Sequence, residues 1–295
     1  MRAITVRDRE TVELTLTDVP YPHSAENDVI VEVHAAGFTR GELTWPGTWT
    51  DRAGRDRTPS IPGHEVSGVV AELGYGTTGL TVGQRVFGLT DWTRDGSLAD
   101  YAAVEARNLA PLPADIDHVT AAALPISGLT AWQALFDHAH LEAGQTVLIH
   151  GVGGAVGSIA AQLAHEAGAY VIGTGRTNPQ SAAVDKFVTL EGDNLERVGQ
   201  VDVVLDVLGG EIRDRSTALV RPGGTLVTIP DPPTIQPQGA RAVFFVVEPN
   251  RTQLTQLADR LRHGIVKPLV TKVRPLTETA EAFTDRGRTI IHLKP

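Results

Sequence analysis

Three glycines, Gly151, Gly154 and Gly157, stand where an apolar run (Thr146-Val-Leu-Ile-His) meets a stretch with apolar residues at Val156, Ile159, Ala160, Leu163 and Ala164. A strand turning sharply into a helix needs a residue without Cβ at the turn, a second where backbone approaches a ligand, and a third where helix and sheet pack closely. The helix start behind them leaves N–H groups without intrahelical partners, which suits a pyrophosphate. A stop at Gly168 and a second apolar run, 170–174, complete a βαβ pattern. The segment Gly151, Val152, Gly153, Gly154, Ala155, Val156, Gly157 therefore reads as a dinucleotide-binding loop rather than an ordinary turn. The end of the second run selects the dinucleotide. Where an NAD site carries an acid for the ribose hydroxyls, this chain has Gly173, Thr174, Gly175 and Arg176. No carboxylate there repels a 2′-phosphate, and Arg176 offers it a planar, permanently charged fork. NADPH is the expected cofactor; a merely solvated Arg176 is the ordinary alternative.

The composition removes other chemistries. The 295 residues include no cysteine, hence no disulfide, thiolate metal ligand or thiol nucleophile. Thirty-five acids against twenty-six bases give a charge of −9, a poor match for nucleic acid. No run of about 18 apolar residues is present, so no membrane-spanning helix is expected. The start of the chain reads as a short strand and charged turn without an apolar leader, which sets the expectation of a cytoplasmic protein.

The elements that must position this loop follow from periodicity. Short β-prone segments at 4–7, 12–16, 28–36, 66–73, 84–88 and 101–104 make the first part mainly β, and 28–36 alternates as a half-buried strand does. From Thr120 the spacing becomes helical. Strand candidates at 146–150, 170–174, 186–190, 201–206, 225–229 and 243–247 then alternate with helices, the mark of a doubly wound parallel sheet. Strand-like stretches at 267–273 and 289–293 return to the first domain.

Gly63-His-Glu-Val-Ser-Gly with Gly74, Val82-Gly-Gln-Arg-Val, His150-Gly-Val-Gly-Gly-Ala-Val-Gly, Val201-Asp-Val-Val-Leu-Asp-Val-Leu-Gly-Gly and Arg221-Pro-Gly-Gly-Thr-Leu-Val together resemble the medium-chain dehydrogenase/reductases. The chain is most similar to their zinc-independent quinone oxidoreductase branch. The resemblance implies an α/β fold with two domains. One is a GroES-like β-rich catalytic domain (1–121 and 266–295), the other a Rossmann doubly wound parallel sheet domain (122–265), with the active site in the cleft. Relative to the branch, the connection 176–186 is short and the segment 282–290 is trimmed.

Zinc-dependent relatives place their metal on positions matching Thr39, His64 and about Ile126, of which only the histidine is a ligand here, whereas a catalytic zinc needs three. Glu42 and Glu65 are the nearby carboxylates. No metal is expected, and plain alcohol oxidation, which needs a Lewis acid or base for the developing alkoxide, is disfavoured. The resemblance implies instead hydride transfer to a quinone or α,β-unsaturated carbonyl. It also implies a substrate pocket lined from Phe38 onward, with Trp45 and Trp49 as apolar walls that Trp92 joins. Thr39 is the candidate donor to the acceptor carbonyl, with His64 expected as a proton relay behind it. Around the nicotinamide it implies Thr130, Leu208, Gly209, Ile229, Phe245 and Val246. Core packing is the alternative for the tryptophans and for Phe245 and Val246. Two other functions stay open: a non-catalytic NADPH-binding protein, and a reductase of one specialised metabolite. Relatives dimerise by joining outer strands of the Rossmann sheet, so a homodimer through Val243-Phe-Phe-Val-Val is expected; the alternative buries that segment under helices on both faces.

Overall fold

β-Branched and aromatic runs bounded by glycine and polar turns form strands throughout this computed structural model, which describes residues 1–179, 183–190 and 194–294. Residues 180–182 of the short connection and Pro295 lie outside them. Strand β1 (Arg2–Thr5) pairs antiparallel with β2 (Thr15–Asp18). The second strand was expected from Val12; that residue instead closes the turn, its N–H donating to the Asp8 carbonyl at 2.9 Å with a φ of 46°. Next come β3 (Asp28–Gly37), the short helix α1 (Pro46–Trp49), β4 (Glu65–Leu73), β5 (Arg85–Leu89), β6 (Tyr101–Glu105), β7 (Leu109–Pro111) and helix α2 (His118–Ala122). β3 is buried on both faces rather than one, with Ile30 as inaccessible as Val29 and Val31. It pairs with β4 on one edge and β6 on the other, and its register shifts against β4 at two places.

Helix α3 (Pro125–Trp132) leads into β8 (Thr146–Ile149), α4 (Ala155–Glu166), β9 (Tyr170–Gly175), β10 (Lys186–Thr189), β11 (Val201–Asp206), α5 (Gly210–Ser216), β12 (Val220–Thr228) and β13 (Arg241–Phe244). These strands form one parallel sheet in the order β10-β9-β8-β11-β12-β13. The order reverses between β8 and β11, where open α/β sheets bind ligands at the carboxyl ends of their strands. β13 is an edge strand ending at Phe244. With Phe244 36 % and Val246 61 % exposed, the alternative of a segment covered on both faces does not hold.

Helix α6 (Arg251–Arg262), strand β14 (Lys272–Pro275), helix α7 (Thr279–Thr284) and strand β15 (Thr289–His292) complete the chain. β15 joins β3, giving a sheet ordered β14-β15-β3-β4-β5-β7 with β6 on the free part of β3. Two compact units result. One comprises Met1–Ile126, Pro249–Arg262 and Val270–Pro295, the other Ser127–Glu248 and His263–Leu269. Helix α6, placed with the nucleotide-binding domain by the sequence reading, packs with the first unit. Leu254 and Leu257 are buried, the Arg251 Nε donates to the Leu109 carbonyl at 2.7 Å, and Arg262 pairs with Asp115. Among the described residues no helix is long and apolar enough to cross a membrane.

Two histidines tie elements together as neutral rings. In the first unit Arg85 Nε donates to His118 Nε2 at 3.3 Å, so the proton sits on Nδ1, which donates to Ser67 Oγ at 2.8 Å. In the second unit the Ser216 hydroxyl donates to the Ile212 carbonyl, so His150 Nε2–H donates to Ser216 Oγ and Nδ1 accepts from Thr174 Oγ1, both at 2.8 Å. That one ring joins the end of β8 to β9 and α5. Burial pulls both histidines down to about 4. A neutral histidine stabilised in this way contributes fully above its unfolded pKa of about 6.5, and the contribution is lost as pH falls toward the folded value. Between pH 7 and pH 5 the protein is expected to lose stability, about 2 kcal/mol of it through the fully buried His150. Urea unfolding followed by tryptophan fluorescence measures this, and a His150→Gln variant as pH-sensitive as the wild type would contradict it.

Candidate functional site

In the second unit the sequence-predicted nucleotide residues converge on the carboxyl edge of the parallel sheet. The glycine loop follows β8, Thr174 and Gly175 end β9, Leu208 and Gly209 follow β11, Ile229 follows β12, and Phe245 and Val246 follow β13. Gly151 turns with a φ of 67°. At Gly157 an added Cβ would lie 2.3 Å from the Gly151 carbonyl oxygen, so α4 sits directly on the loop and tolerates no side chain there. Gly153 is exposed and faces open space, leaving its backbone approachable. Gly154 caps α4 without a side-chain hydrogen bond, so the first N–H groups of the helix stay available to an anion. Val152 is buried, and its N–H donates to the Thr174 carbonyl at 3.1 Å, tying the loop to β9.

The opposite wall is built by Asp206. Its carboxylate accepts the N–H groups of Leu208 and Gly209, the latter on both oxygens, and the hydroxyl of Thr228, so both of its oxygens serve to hold the turn. Gly209 turns with a φ of 73°, and the Ile229 N–H donates to the Asp206 carbonyl at 3.2 Å. Leu208 is exposed, Ile229 half-buried, and Thr130 buried in α3. Thr174 is buried with its hydroxyl committed to His150, so only its backbone faces the loop. Arg176 is exposed and has no hydrogen bond or ion pair among the described residues. A pyrophosphate fits the glycine cradle.

In the first unit an aromatic cluster surrounds His64. The Trp45 ring lies 6.1 Å from the His64 ring and nearly parallel to it, and Trp92 meets both edge-on at 5.2 and 4.9 Å. An added Cβ at Gly47 would lie 2.3 Å from the Trp92 carbonyl, so α1 rests on the Trp92 backbone. Arg57 holds α1 through the Gly47 carbonyl at 2.7 Å. Two assignments change. Trp49, expected in a pocket wall, is 5 % exposed with its indole N–H donating to the Leu43 carbonyl; it is core. The polar partner of His64 is Thr90 Oγ1, 3.0 Å from Nδ1, rather than Thr39, so the relay from Thr39 is not formed. Burial, aided by the charge of Arg57, pulls His64 down to about 3, which makes the ring neutral and a poor proton donor at pH 7.

Two buried carboxylates frame this cluster. Glu42 accepts the Thr39 N–H at 2.9 Å and the Gly63 N–H at 2.6 Å, fixing the start of the Thr39 loop against the Gly-His-Glu turn. Burial pushes its carboxyl up to about 7. Glu65 accepts the Ile126 N–H at 2.9 Å and pairs with Arg288, which also donates to the Phe38 carbonyl at 2.5 Å. Burial brings Arg288 down to about 10, still charged at neutral pH. Nothing local in the sequence marks Arg288 as the neighbour of these carboxylates. Thr39 and Ile126 supply no ligand side chain, Glu42 and Glu65 are occupied by N–H donors, and of the two buried side-chain atoms without a hydrogen-bond partner among the described residues, His64 Nε2 and Arg288 Nε, only the first could bind a metal. Among the described residues no three His, Asp or Glu gather to hold a metal ion, and the residues do not fit one.

Residues 25–114 match the alcohol dehydrogenase GroES-like domain and residues 180–286 the zinc-binding dehydrogenase family. A 2-methylene-furan-3-one reductase of Solanum lycopersicum is 31 % identical over 95 % of this chain and 75 % of its own length. A quinone oxidoreductase of Pongo abelii is 28 % identical over 94 % of this chain and 89 % of its own. The solved quinone oxidoreductase of Coxiella burnetii superposes with a TM-score of 0.88 at 25 % identity, covering 100 % of this chain and 99 % of that one. With both domain signatures in order and the parallel sheet in place, the chain belongs to the medium-chain dehydrogenase/reductase superfamily, in its quinone oxidoreductase-like branch.

Proposed function

We propose that this oxidoreductase is a zinc-independent, NADPH-dependent reductase of quinones or α,β-unsaturated carbonyls. The observation that carries the reading is a glycine cradle together with an exposed Arg176, without a partner among the described residues, just after β9, where an NAD site would place an acid. Bound NADPH supplies the hydride; the chain's task is to hold the nucleotide and orient the acceptor. The N–H groups at the start of α4 and the loop backbone at Gly153 hold the pyrophosphate. Arg176 holds the 2′-phosphate. Leu208, Ile229, Phe245 and Val246 form the apolar wall of the nicotinamide side. Trp45 and Trp92 offer flat aromatic surface to a ring-shaped acceptor, with the Thr39 hydroxyl as the donor to its carbonyl.

The acceptor class follows from the donor set. Without a Lewis acid, and with His64 neutral, an alkoxide has no stabiliser, whereas hydride addition to a conjugated acceptor gives a delocalised anion that a hydroxyl and solvent suffice to quench. Relatives named for a quinone and for a methylene-furanone support this, because both are conjugated carbonyl compounds. A cytoplasmic setting, where reduced nucleotide is supplied and a cysteine-free chain needs no oxidant, fits the reading. The partner we propose is a second copy. The exposed β13 edge with Phe244 and Val246 invites pairing, and an isologous contact satisfies both edges at once.

Oxidation of NADPH, followed at about 340 nm with a panel of quinones and enones, is expected to proceed and to be unaffected by chelators. Nucleotide binding without turnover of any acceptor would favour a non-catalytic role, and loss of activity on zinc removal would overturn the mechanism. Arg176→Ala should weaken NADPH by about 1.5 to 3 kcal/mol and leave NADH nearly unchanged. Equal affinity of the wild type for both nucleotides would refute that preference. Light scattering at micromolar concentration is expected to give twice the 31.4 kDa chain mass, and the single-chain mass would exclude sheet extension.

A further inference from the structure

Past Phe244 the chain leaves the ladder of β13, and Phe245 and Val246 continue beyond the carboxyl edge of the sheet with no strand partner. What holds them in place is a side chain. The amide of Gln133 makes both hydrogen bonds that a neighbouring strand would make to one residue: Nε2 donates to the Glu248 carbonyl at 2.7 Å, and Oε1 accepts the Glu248 N–H at 3.0 Å. Gln133 is buried, as is Val247 beside the clamp. Five residues on, the His138 ring lies 4.4 Å from the Phe245 ring, and the His138 carbonyl accepts from the Arg241 guanidinium.

The backbone geometry of that segment matters. Gln133–His138 is a π-helical turn, closed by i→i+5 hydrogen bonds such as Ala139 N–H to the Ala134 carbonyl at 3.0 Å. In an α-helix residues five apart point about 140° from each other. The wider π turn brings them close to one face, so Gln133 and His138 address the same strand extension. One turn therefore grips residues 241, 245 and 248, on both sides of Phe245 and Val246.

We propose that Gln133 is a positioning residue for the nicotinamide side of the site: through Glu248, and with His138 against Phe245, it fixes the wall that Phe245 and Val246 present. The inference rests on the nucleotide-binding reading above and deepens it. The adenine side hangs on β9 and Arg176, at the other end of the sheet order, and does not depend on the clamp. Loss of the clamp should therefore be felt by the nicotinamide half of the nucleotide alone.

Calorimetric titration of wild type and Gln133→Leu with NADPH and with adenosine 2′,5′-bisphosphate, which lacks the nicotinamide, separates the possibilities. The variant is expected to bind NADPH roughly five- to tenfold more weakly and the bisphosphate within about twofold of wild type. Its kcat should fall while the KM for the acceptor stays in place. Equal weakening of both ligands, or of neither, would overturn the clamp. A wild type that binds neither would overturn the nucleotide reading itself. Should Gln133→Leu not fold, His138→Ala removes the ring contact and keeps the amide; it is expected to show a smaller loss with NADPH only, and an unchanged NADPH affinity would count against the proposal.

Discussion

A polar atom taken out of water must find a partner inside the protein or cost a few kcal/mol, and this requirement sets the geometry of both units. In the first, the N–H groups of Thr39, Gly63 and Ile126 end on two buried carboxylates, so two loops and the Ile126 backbone, none of them in a ladder, are held by side chains. In the second, Asp206 does the same for the turn after β11, and the Gln133 amide for the extension of β13. In these segments a side chain supplies the partner that a ladder would supply in a sheet, whereas the glycine loop is tied to β9 by backbone alone, Val152 N–H to the Thr174 carbonyl.

The cost of that arrangement shows in the charges. Glu42 and Glu65 share one nearby buried cation, Arg288, and removing a partner of a buried pair costs on the order of 3–5 kcal/mol because the other charge is stranded. Burial answers by lifting the Glu42 carboxyl to about 7 and by keeping His64, His118 and His150 neutral. The interior is a place where histidine serves as a hydrogen-bonding spacer. Burial leaves none of these three rings charged at neutral pH, so none is poised to donate a proton as an imidazolium.

Scaffold and site divide by position along the strands. Strand interiors are filled by Val, Ile, Leu and Ala, while the residues with available donors, Gly153, the first turn of α4 and Arg176, lie just past strand ends. Parallel strands put all those ends on one edge, and the reversal of order between β8 and β11 parts the loops that would otherwise crowd each other. Gly157 shows how tight the fit is: a methyl group there would lie 2.3 Å from the Gly151 carbonyl oxygen.

Local patterns in the chain determined what depends on neighbours in sequence. Period-two apolar runs made strands and a glycine at each forced turn made the nucleotide loop, because backbone sterics and short-range hydrogen bonds need only a few adjacent residues. The same reading missed the start of β2 by three residues and counted Ile30 among half-exposed positions, since burial on both faces of β3 depends on what packs over it. Trp45 and Trp49 look alike in sequence; tertiary packing put Trp49 in the core and stacked Trp45 on His64. Which donor His64 meets, that Arg288 reaches Glu65 across 223 residues, and that Gln133 grips Glu248 across 115 were decided by the folded chain alone. The physical reason is common to all three: a buried polar atom takes whichever partner the fold brings within about 3 Å, and sequence spacing carries no record of that encounter.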